Sequence, residues 1–361
     1  MNKKKIAIIG TNGLPANYGG WETLTEYLTK YLSQEFDITV FCTSTAYKEK
    51  KLMHNGAKLK YLSLKANGIQ SIPYDIVSIF KALFFADTLL ILGVSGCVIL
   101  PFIKFISKKK IVVNIDGLEW KRAKWGKATQ WFLKLSEKLA VLNSDVVLTD
   151  NKVIQDYVKD AYGKESTLVE YGADHCTKIA ISESVLNSFP FLTERYAFKV
   201  CRIEPENNIE MILKAFSNSK KLNLVIIGNW NNSDFGKDMR STYGNLDNIY
   251  LLDPIYDQHI LNQIRGNCFT YIHGHSAGGT NPSLVEAMYL ELGIVAFGVN
   301  FNKATTENEG LYFDNEKELI TIIDNLYNKK IDIDLYKIKM KEIADRRYKW
   351  SIVAKKYAAV F

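Results

Sequence analysis

"KKKIAIIGTNGLPANYGGWETLTEYL", residues 3–28, contains a short apolar run, a glycine-rich loop and a segment with helical spacing. Glycine loses more backbone entropy on folding than any other residue, so a loop with four glycines must need bare backbone. The order of strand, glycine loop and helix predicts the first unit of a parallel α/β sheet, with the helix beginning near Gly20. Apolar side chains share one face of that helix: Leu24, Tyr27, Leu28, Tyr31 and Leu32.

The same alternation of short β-branched runs with helical patterns continues along the chain. Continuous apolar runs predict strands that are covered on both faces, as in parallel sheets. The predicted strands are "KIAIIG" (5–10), "DITVFCTS" (37–44), "KLKYLSL" (58–64), "TLLILG" (88–93), "KIVVNID" (110–116), "DVVLTD" (145–150), "STLVEYG" (166–172), "YAFKVCRI" (196–203), "NLVIIGN" (223–229), "IYLLDPI" (249–255), "FTYIHG" (269–274), "GIVAFGV" (293–299) and "LYFD" (311–314).

A chain of 361 residues suits two domains better than one core. The polar, irregular stretch 173–195 interrupts the rhythm and is the expected linker between two Rossmann-like domains, 1–172 and 196–345. A C-terminal helix over 346–361 can pack back on the first domain. Two such domains leave a central cleft between their parallel sheets, and open parallel sheets bind ligands beyond the carboxyl ends of their strands.

Composition excludes several classes of protein. Lysine and arginine (46) exceed aspartate and glutamate (39) by only seven, and no groove-reading module is present, which argues against nucleic-acid binding. The five cysteines stand singly without a CxxC pair, as expected in a reducing cytoplasm. The N-terminal strand is too short for a signal-peptide core. The longest uncharged run, 88–103, falls short of the ~20 apolar residues that a spanning helix needs.

A second glycine loop lies in "YIHGHSAGGTNPSLVEAMYLELGIVAF", residues 271–297. A strand ends near His273 and His275, and a helix is expected to begin at Pro282–Ser283, because proline suits the first helical turn. Backbone N–H groups of such a loop can face a diphosphate, and Glu286, one turn into the helix, can accept hydrogen bonds from ribose. Alternatively, Glu286 only complements the helix dipole. The candidate residues for binding a nucleotide-diphosphate donor are His275, Gly278, Gly279, Thr280, Asn281, Ser283 and Glu286.

Arg202 follows the first strand of the second half, in "VCRIEPENN". A guanidinium at that carboxyl end can hold a diphosphate through two hydrogen bonds and stabilise it as it leaves. The alternative is a surface ion pair with Glu204 or Glu206.

In the first loop, Gly19 and Gly20 precede a helix N-terminus, where a phosphate or sugar can approach bare backbone. A dinucleotide fingerprint is excluded, because the glycine spacing is wrong and no carboxylate ends the second strand. The alternative is a tight turn that only packs strand against helix. We assign Trp21 and Glu22 to the acceptor side, that is, the side of the predicted cleft expected to bind a second substrate.

Further acceptor-side candidates lie in "NIDGLEWKR", residues 114–122. Asp116 follows a strand at the cleft edge and can touch the acceptor or the reacting sugar, although it can also simply cap a helix. Glu119 is the second candidate carboxylate, and Trp120 is adjacent to it. We count Asp116, Arg202 and Glu286 as the catalytic candidates.

Four motifs together resemble the retaining glycosyltransferases of family 4, which share the GT-B fold: "GTNGLPANYGGWET", "VVNIDGLEWKRAKW", "CRIEPENN" and "HGHSAGGTNPSLVEAM". The resemblance runs through nearly the whole chain and is closest to the bacterial rhamnosyltransferase branch that starts surface polysaccharides. It implies a nucleotide-sugar donor bound mainly by the second domain.

The resemblance also assigns roles to single residues. Arg202 matches the family's donor-phosphate arginine, but Asn207 and Asn208 stand where a partner lysine is usual. Glu286 matches the second glutamate of the E-x7-E element, which contacts ribose, whereas Gly278 replaces the first. Backbone N–H groups or His275 can make the missing sugar contacts.

The activity that the resemblance implies is transfer of L-rhamnose from dTDP-L-rhamnose to a lipid-pyrophosphate-linked sugar, with retention. Such a reaction belongs to capsule or cell-wall polysaccharide synthesis. Alternatives are transfer of another hexose from a UDP-sugar, a GT-B-type nucleotide-sugar epimerase, and a noncatalytic partner of a synthase. No DxD element is present near the motifs, so we expect neither a metal nor a cofactor, with Arg202 and helix dipoles replacing a cation.

Two basic aromatic stretches, 120–138 and 102–110, lie in the first domain. Tryptophan prefers the membrane interface, and lysine attracts anionic headgroups. These stretches, Trp120–Lys138 and Phe102–Lys110, are therefore expected to contact the inner leaflet of the cell membrane from the cytoplasm. The alternative is an aromatic helix packed into the core with a solvated lysine face.

Overall fold

A computed structural model describes residues 3–17, 19–115, 117–121 and 125–361. The strands are β1 (Lys5–Ile9), β2 (Asp37–Thr43), β3 (Met53–His54), β4 (Ala57–Leu62), β5 (Thr88–Leu92), β6 (Lys110–Asn114), β7 (Val146–Thr149), β8 (Thr167–Leu168), β9 (Tyr196–Val200), β10 (Asn223–Ile227), β11 (Ile249–Leu252), β12 (Thr270–His273), β13 (Ile294–Phe297) and β14 (Leu311–Phe313). The helices are α1 (Gly20–Leu32), α2 (Ser71–Leu83), α3 (Leu100–Ile106), α4 (Lys127–Asn143), α5 (Lys152–Tyr162), α6 (Glu183–Ser188), α7 (Ile209–Asn218), α8 (Asp234–Tyr243), α9 (Gln258–Gly266), α10 (Pro282–Tyr289), α11 (Asn300–Thr305), α12 (Glu316–Tyr327), α13 (Ile333–Arg347) and α14 (Trp350–Val360).

The chain forms two compact units. The first comprises Met1–Gly172 together with Trp350–Phe361, and the second comprises Ala173–Lys349. The stretch 173–195, expected as a linker, lies within the second unit, where Ser182 N donates to Gln263 Oε1 over 2.7 Å. This hydrogen bond ties the polar stretch to the second unit rather than leaving it as a spacer.

The sheet of the first unit has the strand order β3-β4-β2-β1-β5-β6-β7-β8. Its neighbours are parallel except for β3 and β4, which form an antiparallel hairpin. Every predicted strand is present, and the sequence pattern missed only the two-residue β3. Both faces of the central strands are buried, as their continuous apolar runs indicate.

The sheet of the second unit has the order β11-β10-β9-β12-β13-β14, and all its neighbours are parallel. The strand order reverses between β9 and β12. The loops that leave these two strands start at this topological switch point, at the carboxyl edge where open α/β sheets bind ligands. The predicted α/β class with two parallel-sheet domains is confirmed.

Helix α14 belongs to the first unit. Trp350 is buried and stacks on Tyr27 of α1 with ring centroids 4.4 Å apart. Asn114 Nδ2 donates to the hydroxyl of the buried Tyr357 over 2.8 Å. Of the helices in the described ranges, none combines the length and the apolar character that crossing a bilayer requires.

Candidate functional site

The loops that leave β9 and β12 in the second unit are joined by hydrogen bonds. Asn208 Nδ2 donates to Gly274 O over 2.9 Å, and the backbone N–H and hydroxyl of Ser276 both donate to Glu206 O. A Cβ on Gly274 would lie 2.3 Å from Asn207 O, so only glycine allows the loops to approach this closely. The loop that carries Arg202 and the glycine loop after β12 therefore form one assembly.

The asparagines that replace the expected lysine have a structural role in this assembly. Asn207 Nδ2 donates to Arg202 O over 2.6 Å, and Asn208 adopts a left-handed backbone with φ 51° at the start of α7. Asparagine tolerates that conformation better than most residues. Asn207 thus fixes the backbone of Arg202, and Asn208 binds Gly274, instead of either supplying a second positive charge.

The side chain of Arg202 is exposed. Within the described part of the chain it forms no ion pair, so the surface pairing with Glu204 or Glu206 does not occur. An exposed, unpaired guanidinium at the carboxyl end of β9 is free to bind an anion.

The glycine loop after β12 ends in a capped helix. Asn281 Oδ1 accepts hydrogen bonds from the backbone N–H of Ser283, at 3.0 Å, and from its hydroxyl, at 2.8 Å. Tyr271 also donates its hydroxyl to Ser283 Oγ. Ser283 and Asn281, assigned to the donor, are therefore engaged with protein groups. Thr280 is buried, and a Cβ on Gly278, where φ is +121°, would meet no atom within 4 Å.

Two histidines stack beneath this loop. The rings of His273 and His275 lie 4.4 Å apart and nearly parallel, and the carbonyl of His275 accepts a hydrogen bond from Asn302. His273 is fully buried; burial and then the charge of Lys199 lower its pKa well below the usual value, so the ring is neutral. His273 supports the loop from below, while His275 is the partly exposed member of the pair.

Glu286, one turn into α10, is held by an arginine that the sequence motifs did not single out. Arg265 Nη1 donates to Glu286 Oε2 over 2.5 Å, and His175 Nε2 lies 3.2 Å from Oε1. Burial alone would raise the pKa of Glu286, but the charge of Arg265 and the hydrogen bonds from His175 and Arg265 outweigh it and lower that pKa to about 2. Glu286 is therefore an ionised carboxylate with fixed orientation, which suits a hydroxyl acceptor role.

Arg265 is itself fixed in place, with a side chain only 5% exposed. Its Nε and Nη2 donate to Asn262 Oδ1, and Nη2 also contacts Cys176 Sγ at 2.9 Å. Asn262 lies three residues before Arg265 on α9, but no local sequence pattern links Arg265 to Glu286.

His175, Cys176 and Glu286 are the only group among the described residues whose ligand atoms are close enough to hold a metal ion. The geometry favours an ion-pair network instead, because the guanidinium of Arg265 already contacts both Cys176 and Glu286. Burial raises the pKa of Cys176 well above its usual value, so the sulfur is a neutral thiol and a poor metal ligand.

In the glycine loop of the first unit, other protein atoms occupy the space next to the glycines. A Cβ on Gly10, where φ is +96°, would lie 2.0 Å from Leu92 O, and one on Gly19, where φ is +130°, would lie 2.0 Å from Glu22 Oε2. The buried Glu22 accepts hydrogen bonds from Asn12 N, at 2.7 Å, and from Thr11. Glu22, assigned to the acceptor, is thus a brace for this loop, while Gly20 begins α1.

The remaining acceptor-side candidates differ in their contacts and burial. Asp116 lies outside the described residues. Glu119 Oε1 accepts a hydrogen bond from Trp125 Nε1 over 3.0 Å. Trp120 is half-buried, and Trp21, also half-buried, contributes its carbonyl as an acceptor for Thr25.

The basic aromatic stretch 120–138 is partly packed inward. The ammonium of Lys134 lies 4.3 Å from the centroid of the Trp120 ring and also faces Tyr157 and Tyr162. Trp131, in contrast, is 69% exposed. Only part of this stretch is therefore available to a partner surface.

Comparison with protein families divides the chain into two matches. Residues 186–344 match the family "Glycosyl transferases group 1", and residues 3–174 match "Domain of unknown function (DUF1972)". No curated protein sequence matches the chain significantly.

Solved structures share the fold of the chain at low sequence identity. Sucrose-phosphate synthase (tll1590) from Thermosynechococcus elongatus has a TM-score of 0.80 at 12% identity, covering 99% of this chain and 98% of that one. Alr3699/HepE from Anabaena in complex with UDP has 0.75 at 14%, covering 99% and 98%. A Listeria monocytogenes protein described as a UDP-N-acetylglucosamine 2-epimerase has 0.63 at 16%, covering 99% and 95%.

Proposed function

We propose that this chain is a retaining transferase that moves L-rhamnose from dTDP-L-rhamnose to a lipid-pyrophosphate-linked sugar. Residues 186–344 of its second unit match the family "Glycosyl transferases group 1". The family match and the GT-B fold support a nucleotide-sugar glycosyltransferase. Rhamnose, dTDP and the lipid acceptor come from the motif resemblance.

One observation carries the donor assignment. An unpaired Arg202 and the capped N-terminus of α10 belong to loops that hydrogen bonds join at the topological switch point of the second sheet. Such a site offers a guanidinium and the positive end of the α10 dipole to a diphosphate, and the fixed Glu286 carboxylate to ribose hydroxyls. In the reaction, the same guanidinium would stabilise negative charge as the diphosphate leaves.

The rest of the proposal concerns the reaction environment. Arg202 and the α10 dipole supply the positive charge that the leaving group needs, so we propose turnover without a metal or cofactor. The acceptor is presented at the inner leaflet of the cell membrane, with which the enzyme associates peripherally through residues 102–110 and 120–138. The product would serve synthesis of a capsule or cell-wall polysaccharide.

A panel of radiolabelled nucleotide sugars, incubated with the enzyme and lipids that carry polyprenyl-pyrophosphate sugars, tests the proposal. We expect label from dTDP-L-rhamnose in the lipid fraction, with the anomeric configuration of the donor retained, and no loss of turnover in chelator. Transfer from a UDP-hexose instead would replace the donor assignment and keep the transferase class.

Epimerisation is the alternative that the structural likeness to the Listeria protein favours. An epimerase converts its nucleotide sugar without any acceptor. Turnover of the donor by purified enzyme in the absence of lipid would therefore contradict the transferase proposal.

A further inference from the structure

Helices α2 and α3 of the first unit expose an unusual amount of aromatic surface. Phe84 is 91% exposed and Phe105 is 89% exposed, and Ile106 lies beside Phe105 in sequence. The rings of Phe80 and Phe102 lie 6.4 Å apart, so the two helices present their apolar side chains together. We call Phe80, Phe84, Phe102, Phe105 and Ile106 the α2–α3 aromatic surface. Contiguous exposed apolar groups of this kind indicate an interaction surface.

A groove beside Phe84 adds positive charge to this surface. It is lined by Phe41, Lys60, Tyr61, Leu62, Lys81, Phe84 and Phe85. The ammonium of Lys60 lies 3.7 Å from the centroid of the Phe85 ring. Neither Lys60 nor Lys81 pairs with an acidic residue in the described part of the chain. Burial, and then the neighbouring charges of Lys81 and Lys58, lower the pKa of Lys60.

The second helix has a similar charge pattern. Lys108 and Lys109 lie just after Phe105 and Ile106, separated from them by Ser107, and neither forms an ion pair among the described residues. The combination of exposed phenylalanines with unpaired lysines at their border matches a surface that is apolar within and anionic at its boundary. That is the chemistry of a bilayer containing anionic phospholipid.

The α2–α3 aromatic surface lies at the opposite ends of the strands from the glycine loop of the first unit. Helix α2 ends at Leu83, just before β5 begins, and α3 ends at Ile106, just before β6 begins. Phe84 and Phe105 therefore lie near the amino ends of the strands, whereas the glycine loop after β1 lies at their carboxyl ends. This arrangement suits an anchor rather than a substrate site.

We propose that the α2–α3 aromatic surface inserts into an anionic phospholipid bilayer, with its phenylalanines in the acyl boundary and Lys60, Lys81 and Lys108 on headgroup phosphates. The proposal rests on the membrane contact of the proposed function and extends it to α2, which the sequence motifs did not implicate. Tryptophans 120 and 125 of the basic stretch are secondary to this anchor, because their rings contact protein groups.

Cosedimentation of the full chain with phosphatidylcholine vesicles, with and without phosphatidylglycerol, tests this inference. The wild type should bind the anionic vesicles and lose binding in high salt. The double variant Phe84→Ser with Phe105→Ser should lower partitioning at least about tenfold, since each exposed ring contributes apolar burial. Lys60→Gln with Lys81→Gln should weaken binding to anionic vesicles only. The matched control, Leu335→Ser with Ile338→Ser on the exposed face of α13, should bind as the wild type does.

Equal vesicle binding by the Phe84/Phe105 variant and the wild type would overturn the proposal. So would a dimer of the wild type that the same variant converts to monomer in sedimentation equilibrium, because a second copy would then cover the surface. Transfer to a water-soluble, short-chain acceptor separates this inference from the proposed function. Intact transfer with lost vesicle binding supports the anchor; absent transfer with normal vesicle binding contradicts the transferase and leaves the anchor supported.

Discussion

Arg265 Nη1 lies 2.5 Å from Glu286 Oε2, and this buried contact fixes the carboxylate that faces the proposed ribose position. Arg265 does not need to touch the donor to matter. It keeps Glu286 charged and leaves it one orientation, so we regard it as a positioning residue for donor binding.

Arg265→Met should therefore destabilise the second unit and weaken donor binding together. Removing one partner of a buried ion pair typically costs about 3–5 kcal/mol, because the other charge is left uncompensated. Chemical unfolding measures the stability, and calorimetry with dTDP measures binding. Combining Arg265→Met with Glu286→Gln should recover part of the stability but not the binding. Full additivity of the two changes would contradict the coupling.

Arg202→Ala should weaken binding of dTDP by about tenfold or more, since charge-assisted hydrogen bonds contribute about 1.5–3 kcal/mol. Unfolding free energy should not change, because this exposed side chain has no ion pair to lose. Slower turnover should accompany the weaker binding. Arg240→Ala is the matched control, since Arg240 pairs with Asp253 at the surface of the same unit. Wild-type kinetics in Arg202→Ala would refute the assigned role.

Asn208 should be sensitive to substitution through two separable effects. Asn208→Gly keeps the left-handed backbone but loses the hydrogen bond to Gly274, whereas Asn208→Ala loses both. We expect Ala to be less stable than Gly by roughly 1 kcal/mol in urea unfolding. Both variants should lower dTDP affinity, because the loops lose one of the three hydrogen bonds that join them. Unchanged affinity in both would show that the loops hold their geometry without this bond.

Asp75, on α2 of the first unit, should make stability depend on pH. It is buried, its Oδ1 has no hydrogen-bond partner within the described residues, and burial raises its pKa to about 8 from the usual 3.8, partly offset by a hydrogen bond from Gly96. The native state then binds more protons than the unfolded state between these two pKa values. The contribution of Asp75 to the free energy of unfolding is therefore fully present below about pH 4 and is lost as the pH rises through about 8. The slope cannot exceed about 1.4 kcal/mol per pH unit for one proton.

Asp75→Asn should remove this slope and raise the melting temperature above pH 8. Thermal unfolding from pH 5 to 9 measures it. The exposed Asp247→Asn is the control and should keep the wild-type slope. Parallel curves for Asp75→Asn and the wild type would show that the aspartate does not titrate in this range.

The fold could be predicted from the sequence because parallel strands are buried on both faces and read as uninterrupted apolar runs. The two-residue β3 could not, since a short exposed hairpin has no such signature. At the site, Arg202 and the loop before α10 follow strand ends and were visible as local motifs. Arg265 and His175 were not, because each meets Glu286 only through tertiary packing. The glycines of the first loop have a similar limit. The sequence pattern indicates that bare backbone is needed there, but the folded structure is required to show that Leu92 and Glu22 occupy the space where side chains would otherwise lie.

Because α14 completes the first unit after the whole second unit has been synthesised, that first unit cannot reach its final core until residues 350–361 have been synthesised. The Trp350 ring packs against Gly172 and Tyr27, so a nascent chain that lacks Trp350 leaves these residues exposed to solvent. An isolated first domain should therefore be expressed as residues 3–172 joined to 350–361, because residues 3–172 alone would lack part of their aromatic core.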